Sequence, residues 1–245
     1  MLRQRPISIC AVMLWVCLTA LPAQVVAVRG QVEVAGVHQK PWARLPSTVV
    51  WLTPMPDSGT ETPKVQVSPD SSFRLVQKNK SFEPHILVVP VGAVVEFPNR
   101  DPFFHNVFSL FEGKRFDLGL YEAGTSRMVH FDRAGISYIF CNIHPEMSAV
   151  VITLRTPLYA ISNAAGQISI PNVPFGRYML HTWSEHGAPE ASQTATREVT
   201  ISDSAQSLGV IRVPAANGQA LAHKNKYGRN YDPPTPDNPA YGQHP

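Results

Sequence analysis

Residues Cys141-Asn142-Ile143-His144-Pro145-Glu146-Met147 carry a thiol, an imidazole and a thioether at three-residue spacing on one short stretch. Three donors so close in sequence can share an ion only if the fold holds their loop open and supplies another donor from a distant strand. His105, far upstream, is the candidate. A thiolate, two imidazoles and a weak thioether suit copper, because they compromise between the soft, low-coordinate preference of Cu(I) and the nitrogen-rich preference of Cu(II). The expected cofactor is therefore one mononuclear copper ion, with His105, Cys141, His144 and Met147 as its ligands. The expected scaffold is rigid, so that ligand positions are set by the protein and not by the metal.

The rest of the cysteine pattern fits that reading. Arg3 and Arg5 precede an apolar run from Ile7 to Leu21, and small residues then allow cleavage after Ala23 or Ala27, so residues 1–27 read as a secretory leader. An uncleaved anchor is the alternative, although the run is short for a bilayer span and ends at Pro22. Export to a periplasm is expected, with secretion as the alternative. Cys10 and Cys17 leave with the leader, so Cys141 stands alone in an oxidising compartment. Coordination would protect such a thiol; a buried cysteine acting as a small apolar residue is the other reading. The formal charge of +3 is too small to indicate a nucleic-acid partner. A second long apolar stretch is missing, so no membrane span is expected in the mature chain.

From Val28 onward the pattern is strands and turns, without a convincing amphipathic helix. Val32 and Val34 alternate with Gln31 and Glu33, and Val49 to Leu52 is an apolar run that ends at Pro54. Met55 to Lys64 reads as an exposed connection. Further strands are expected at Ser72–Val76, Pro84–Pro90 and Val94–Phe97, the last closed by the turn Pro98-Asn99-Arg100-Asp101. Asn106–Leu110 follows, then a loop through Gly113 and Gly119, then strands at Met128–Phe131, Ser137–Phe140 and Ala149–Leu154. Short strands at this spacing point to a Greek-key sandwich in an all-β chain.

Three stretches, Val94 to Asn99, His105-Asn106-Val107-Phe108 and Tyr138 through Met147, resemble a cupredoxin of the plastocyanin, amicyanin and pseudoazurin kind. The two-residue gap between His144 and Met147 is like the shorter ligand loops of amicyanin and pseudoazurin. The resemblance covers Pro84 to Leu154 and implies that Asn99 and Asn106 brace the cysteine-bearing loop from the second shell; plain turn geometry is the alternative for both. It also places Glu146 outward. His85 and His130 lack matching spacing, and His38, His181, His186, His223 and His244 are scattered too widely for a zinc-type cluster.

Thr156 to Val213 differs in composition, with Asn163-Ala164-Ala165-Gly166, Ile168–Ile170, Pro174-Phe175-Gly176 and Arg177–Trp183. It resembles the second half of a carboxypeptidase regulatory-like, transthyretin-like sandwich, and Val28 to Pro54 resembles the first half. The expected organisation is a discontinuous smaller sandwich, 28–54 and 156–213, carrying a cupredoxin unit at 65–155 as an insertion; a simple tandem is the alternative. Residues 214–245 hold few aliphatics and are expected to be a disordered tail.

The resulting expectation is an exported electron carrier and not an enzyme. A closed ligand set leaves no open coordination position, and the His-x-His pairs of multicopper oxidases are missing. Its partner would be a redox protein such as a cytochrome or a dehydrogenase. The competing expectation is an envelope binding or assembly module with a role in copper delivery or storage.

Overall fold

Short β-branched and aromatic runs cut by proline and glycine can bury an apolar face only by pairing into sheets. The computed structural model describes residues 24–34, 47–58, 72–110, 113–184, 195–213 and 224–231, and within them the chain is all-β. It opens with β1 (Val25–Val34) and β2 (Thr48–Pro54). Next come β3 (Phe73–Arg74), β4 (Val76–Lys78), β5 (Ser81–Glu83), β6 (Ile86–Pro90), β7 (Ala93–Pro98) and β8 (His105–Ser109). They are followed by β9 (Phe116–Tyr121), β10 (Ser126–Phe131), β11 (Gly135–Phe140) and β12 (Ser148–Leu154). The last are β13 (Tyr159–Ile161), β14 (Gln167–Pro174), β15 (Gly176–Ser184), β16 (Ala195–Ile201) and β17 (Ser207–Val213).

Strands β3 to β12 form one unit. A sheet ordered β6-β12-β11-β8-β9 packs on a sheet ordered β10-β7-β3, and the chain crosses between them after β6, β7, β9 and β10. Alternation explains the packing: in β7, Ala93, Val95 and Phe97 are buried while Val94 is exposed, and in β10 Val129 and Phe131 point in while Met128 and His130 point out. These inward residues share a core with Val107, Ile139, Ala149 and Val151 from the opposite sheet, and Cys141 and Met147 belong to it.

The stretch expected to loop through Gly113 and Gly119 holds a strand, β9, at the sheet edge. Its alternation is broken by a bulge: Asn106 pairs with Leu120 but Phe108 pairs with Asp117, so extra residues oppose β8, and Gly119 takes the required left-handed conformation at φ 66°. The bulge therefore hid the strand from a period-two reading.

The segments on either side build a second unit together. β1 lies between β14 and β17, and β2 lies between β13 and β15, with β16 at the edge of that sheet. Val28, Val32, Val50 and Leu52 from the N-terminal strands share a core with Ile170, Tyr178, Leu180 and Ile211 from the C-terminal ones. β1 starts at Val25, which pairs with Pro174. Residues 1–23 lie outside the described residues. Among the described residues no helix is long and apolar enough to cross a membrane.

The two units meet along β12, whose run from Ala149 to Leu154 is buried on both faces. Val150, Ile152 and Leu154 pack with Val49, Val88 and Trp183, and the indole N–H of Trp183 donates to the Tyr138 hydroxyl at 3.4 Å. Residues 224–231 lie in the stretch expected to be a disordered tail. They carry few aliphatics, but they are held by hydrogen bonds to Asn142, Asp117 and Cys141 and not by core burial. A composition rule that counts apolar residues misses that kind of anchoring.

Truncating Trp183 to alanine should destabilise the protein by about 3–5 kcal/mol, as for other buried aromatics, while Met128→Gln on the exposed face should stay within about 0.5 kcal/mol. Urea unfolding followed by intrinsic fluorescence and far-UV circular dichroism measures both.

Candidate metal centre

The ligand loop is strung between two paired strands. β11 ends at Phe140, which pairs with Ser148 at the start of β12, so residues 141–147 form a loop whose ends are fixed in register. Pro145 suits the second position of a tight turn, and the turn is closed by the Met147 N–H donating to the His144 carbonyl at 3.1 Å. The Cys141 N–H donates to the Met147 carbonyl at 3.3 Å. Glu146 is exposed, as expected.

His105 is the first residue of β8 and arrives beside this loop because Phe108 of β8 pairs with Phe140 of β11. Asn99 shapes the preceding turn: its side chain accepts from the Asp101 N–H at 3.0 Å and donates to the Phe103 carbonyl at 2.8 Å. These bonds serve turn geometry. Asp101 is the residue the sequence reading passed over. Its carboxylate accepts from His105 Nε2 at 2.8 Å and from the backbone N–H groups of Asn79 (2.6 Å) and Lys80 (2.9 Å). Asn79 and Lys80 form the two-residue tip of the β4–β5 hairpin, both at positive φ, which aims their N–H groups at one acceptor.

Three donor atoms converge. The His105 and His144 Nδ1 atoms are 3.1 Å apart, and Cys141 Sγ lies 3.7 Å from the first and 3.5 Å from the second. All three side chains are buried, as is Met147, which sits in the same core. The Phe103 ring lies against both imidazoles, with centroids at 5.2 and 5.5 Å. Metal bonds of about 2.0–2.1 Å to nitrogen and about 2.3 Å to sulfur would put the nitrogens about 3.3–3.6 Å apart and the sulfur about 3.5–3.8 Å from each. The observed spacing admits an ion at the common centre with a small outward shift of the imidazoles.

The electrostatics favour lone pairs that face inward. Because a carboxylate can only accept, Asp101 holds the His105 proton on Nε2 and leaves Nδ1 free to ligate. Burial lowers the His105 pKa even though Asp101 pulls it up, and burial followed by the neighbouring His105 charge pushes His144 down to about 4. Burial also raises the Cys141 thiol, while backbone N–H groups of Ile143, Asn106 and His144 work against it by stabilising the thiolate. Burial would raise Asp101 as well, but its backbone and histidine partners outweigh burial and hold the carboxyl below its ordinary range.

The structure thus brings together His105, Cys141 and His144, and places Met147 on the same closed loop. Asn106 acts through its backbone toward Cys141, while its side-chain amide donates to Asp117 Oδ1 at 2.8 Å. His130 is exposed on an outer face, and His181 stacks on Trp51 in the second unit. His38, His186, His223 and His244 lie outside the described residues.

No protein-family model and no curated protein matches this chain. Several solved structures are similar to part of it. The copper-containing nitrite reductase NirK from Thermus scotoductus SA-01 is 23% identical over 38% of this chain and 25% of its own, with a TM-score of 0.34. The purple cupredoxin from Nitrosopumilus maritimus is 22% identical over 34% of this chain and 100% of its own, with a TM-score of 0.31. A reduced variant of amicyanin is 22% identical over 40% of this chain and 96% of its own, with a TM-score of 0.33.

In the metal-free protein the imidazoles have folded-state values below the ordinary 6.5, so between pH 6.5 and about 4 the unfolded chain binds more protons. Stability should be level above that window and fall as pH drops through it, by at most about 1.4 kcal/mol per pH unit for each histidine. Urea titrations at a series of pH values check this, and His144→Gln should flatten the slope.

Proposed function

We propose that this chain is a type 1 copper protein of the cupredoxin kind that carries single electrons between redox partners. One observation carries the reading: two imidazole Nδ1 atoms and a cysteine sulfur converge within 3.7 Å in a buried pocket. His105, Cys141 and His144 would hold the ion, and Met147 would be the weak fourth donor from the same loop. When bound, copper supplies a one-electron couple between Cu(I) and Cu(II).

The protein's own groups do the rest. Asp101 keeps the Nδ1 lone pair of His105 available, and the three backbone N–H groups aimed at Cys141 favour its thiolate. The turn at Pro145 and the strand pairing at both loop ends keep donor positions constant, which suits a centre that must change charge with little movement. Phe103 and the sandwich core exclude water from the donors.

In this reading the protein is exported and is not an enzyme. Its partner is a redox protein such as a cytochrome or dehydrogenase. The second unit, built from 28–54 and 156–213, is a transthyretin-like sandwich that hosts the copper unit as an insertion. Copper delivery or storage is the rival role, and it would require ready release of Cu(I).

The test is the visible spectrum of the purified protein with one equivalent of Cu(II), beside Cys141→Ala. An intense thiolate-to-copper band, lost in the variant and bleached reversibly by a reductant, is expected. A colourless wild type that nonetheless binds metal overturns the carrier reading, and bleaching with immediate loss of Cu(I) to a chelator favours delivery.

A further inference from the structure

The tail segment 224–231 returns to the face of the copper unit where the ligands lie. It is preorganised by its own turn, in which the Asn225 side chain accepts from the N–H groups of Tyr227 and Arg229, and the Gly228 N–H donates to the Asn225 carbonyl. From that turn it reaches both chain segments that bear ligands. On the loop side, the Lys226 N–H donates to Asn142 Oδ1 at 2.9 Å and the Tyr231 hydroxyl donates to the Cys141 carbonyl at 2.8 Å. On the strand side, Lys226 Nζ pairs with Asp117 Oδ2 at 2.8 Å, and the other oxygen of that carboxylate accepts from the side chain of Asn106, the neighbour of His105.

We propose that residues 224–231 are a positioning strap that holds the 141–147 loop against β8 and β9 and sets how often that loop opens to admit or release an ion. Two of its residues act at a distance from the donors: Tyr231 pins the backbone of Cys141, and Lys226 ties the loop to the bulge in β9. The bulge is what makes this possible, because it frees Asp117 to accept from Asn106, Gly119 and Lys226 together. Ordering an eight-residue segment against a surface costs conformational entropy, and the internal turn lowers that cost before docking. Its effect on ion release rests on the copper reading; its effect on loop opening does not.

Full-length protein carrying Lys226→Met and Tyr231→Phe, separately and together, tests the strap. In the metal-free state, hydrogen–deuterium exchange of the loop amides should accelerate by roughly tenfold or more in the double variant, with β12 and β15 amides and the urea midpoint nearly unchanged. In the copper-loaded state, transfer of Cu(I) to an excess of chelator should accelerate by a similar factor, and Tyr231→Phe should shift the thiolate charge-transfer band. Loop exchange that stays at the wild-type rate in the double variant overturns the strap. Faster exchange in a protein that takes up no copper leaves the strap standing and overturns the copper reading.

Discussion

Burial of β12 on both faces is the constraint on which the two units and the ligand loop depend. Ala149 and Val151 point into the core of the β3–β12 unit, and Val150, Ile152 and Leu154 point into the junction with Trp183 and Val49. A one-residue slip would exchange the two sets, so each core enforces the register that the other needs. Met147 immediately precedes β12, and Cys141 immediately follows β11. The register that keeps two cores filled therefore also sets where the loop begins and ends. His105 is tied to the same frame, since β8 pairs with β11.

Polar groups in such a frame are costly unless they are satisfied, and the centre is built around that cost. Asp101 would be an expensive buried carboxylate without the hairpin tip and the imidazole N–H that it accepts from. Cys141 is pushed toward the neutral thiol by burial, and the backbone N–H groups of the loop favour the anion. Two Nδ1 atoms 3.1 Å apart, with the His105 proton held on Nε2, leave room for one positive centre between the imidazoles. A proton and a metal ion would compete for that place. The low pKa of His144 indicates how poorly the pocket accommodates a second proton, and ligation needs that neutral form.

Much of the donor set was legible in the sequence because it is written in residue type and spacing. Cys141, His144 and Met147 lie three residues apart, and a strand of alternating apolar residues leads into them. Cys141 is the one cysteine outside the expected leader, which was an independent reason to look there. Asp101 was legible only as part of a turn: that its carboxylate faces His105 depends on Asn99 bonding across the turn and on a hairpin from another part of the unit. β9 was hidden because a bulge breaks the two-residue period. The joint sandwich of the flanking segments was approached through matched half-patterns, whereas the junction on β12 was not, since an unbroken apolar run does not say what covers each face. The segment at 224–231 has no apolar pattern at all, and its anchors are single hydrogen bonds that no periodicity reports.

Those anchors bear on how the unit of β3 to β12 is tied to the second one. The chain that forms the strap follows β17, which pairs with β1 in the second unit, and the strap then crosses to Cys141, Asn142 and Asp117 in the first. The units are thus linked twice, by apolar packing along β12 and by a polar clasp at the ligand loop. The two links differ in kind. Packing along β12 cannot loosen without exposing Trp183 and its neighbours, so it opens only with the fold itself. A clasp of a few hydrogen bonds on the surface has a far smaller opening free energy, and it is placed where opening would move Cys141 and not the sandwich beneath it.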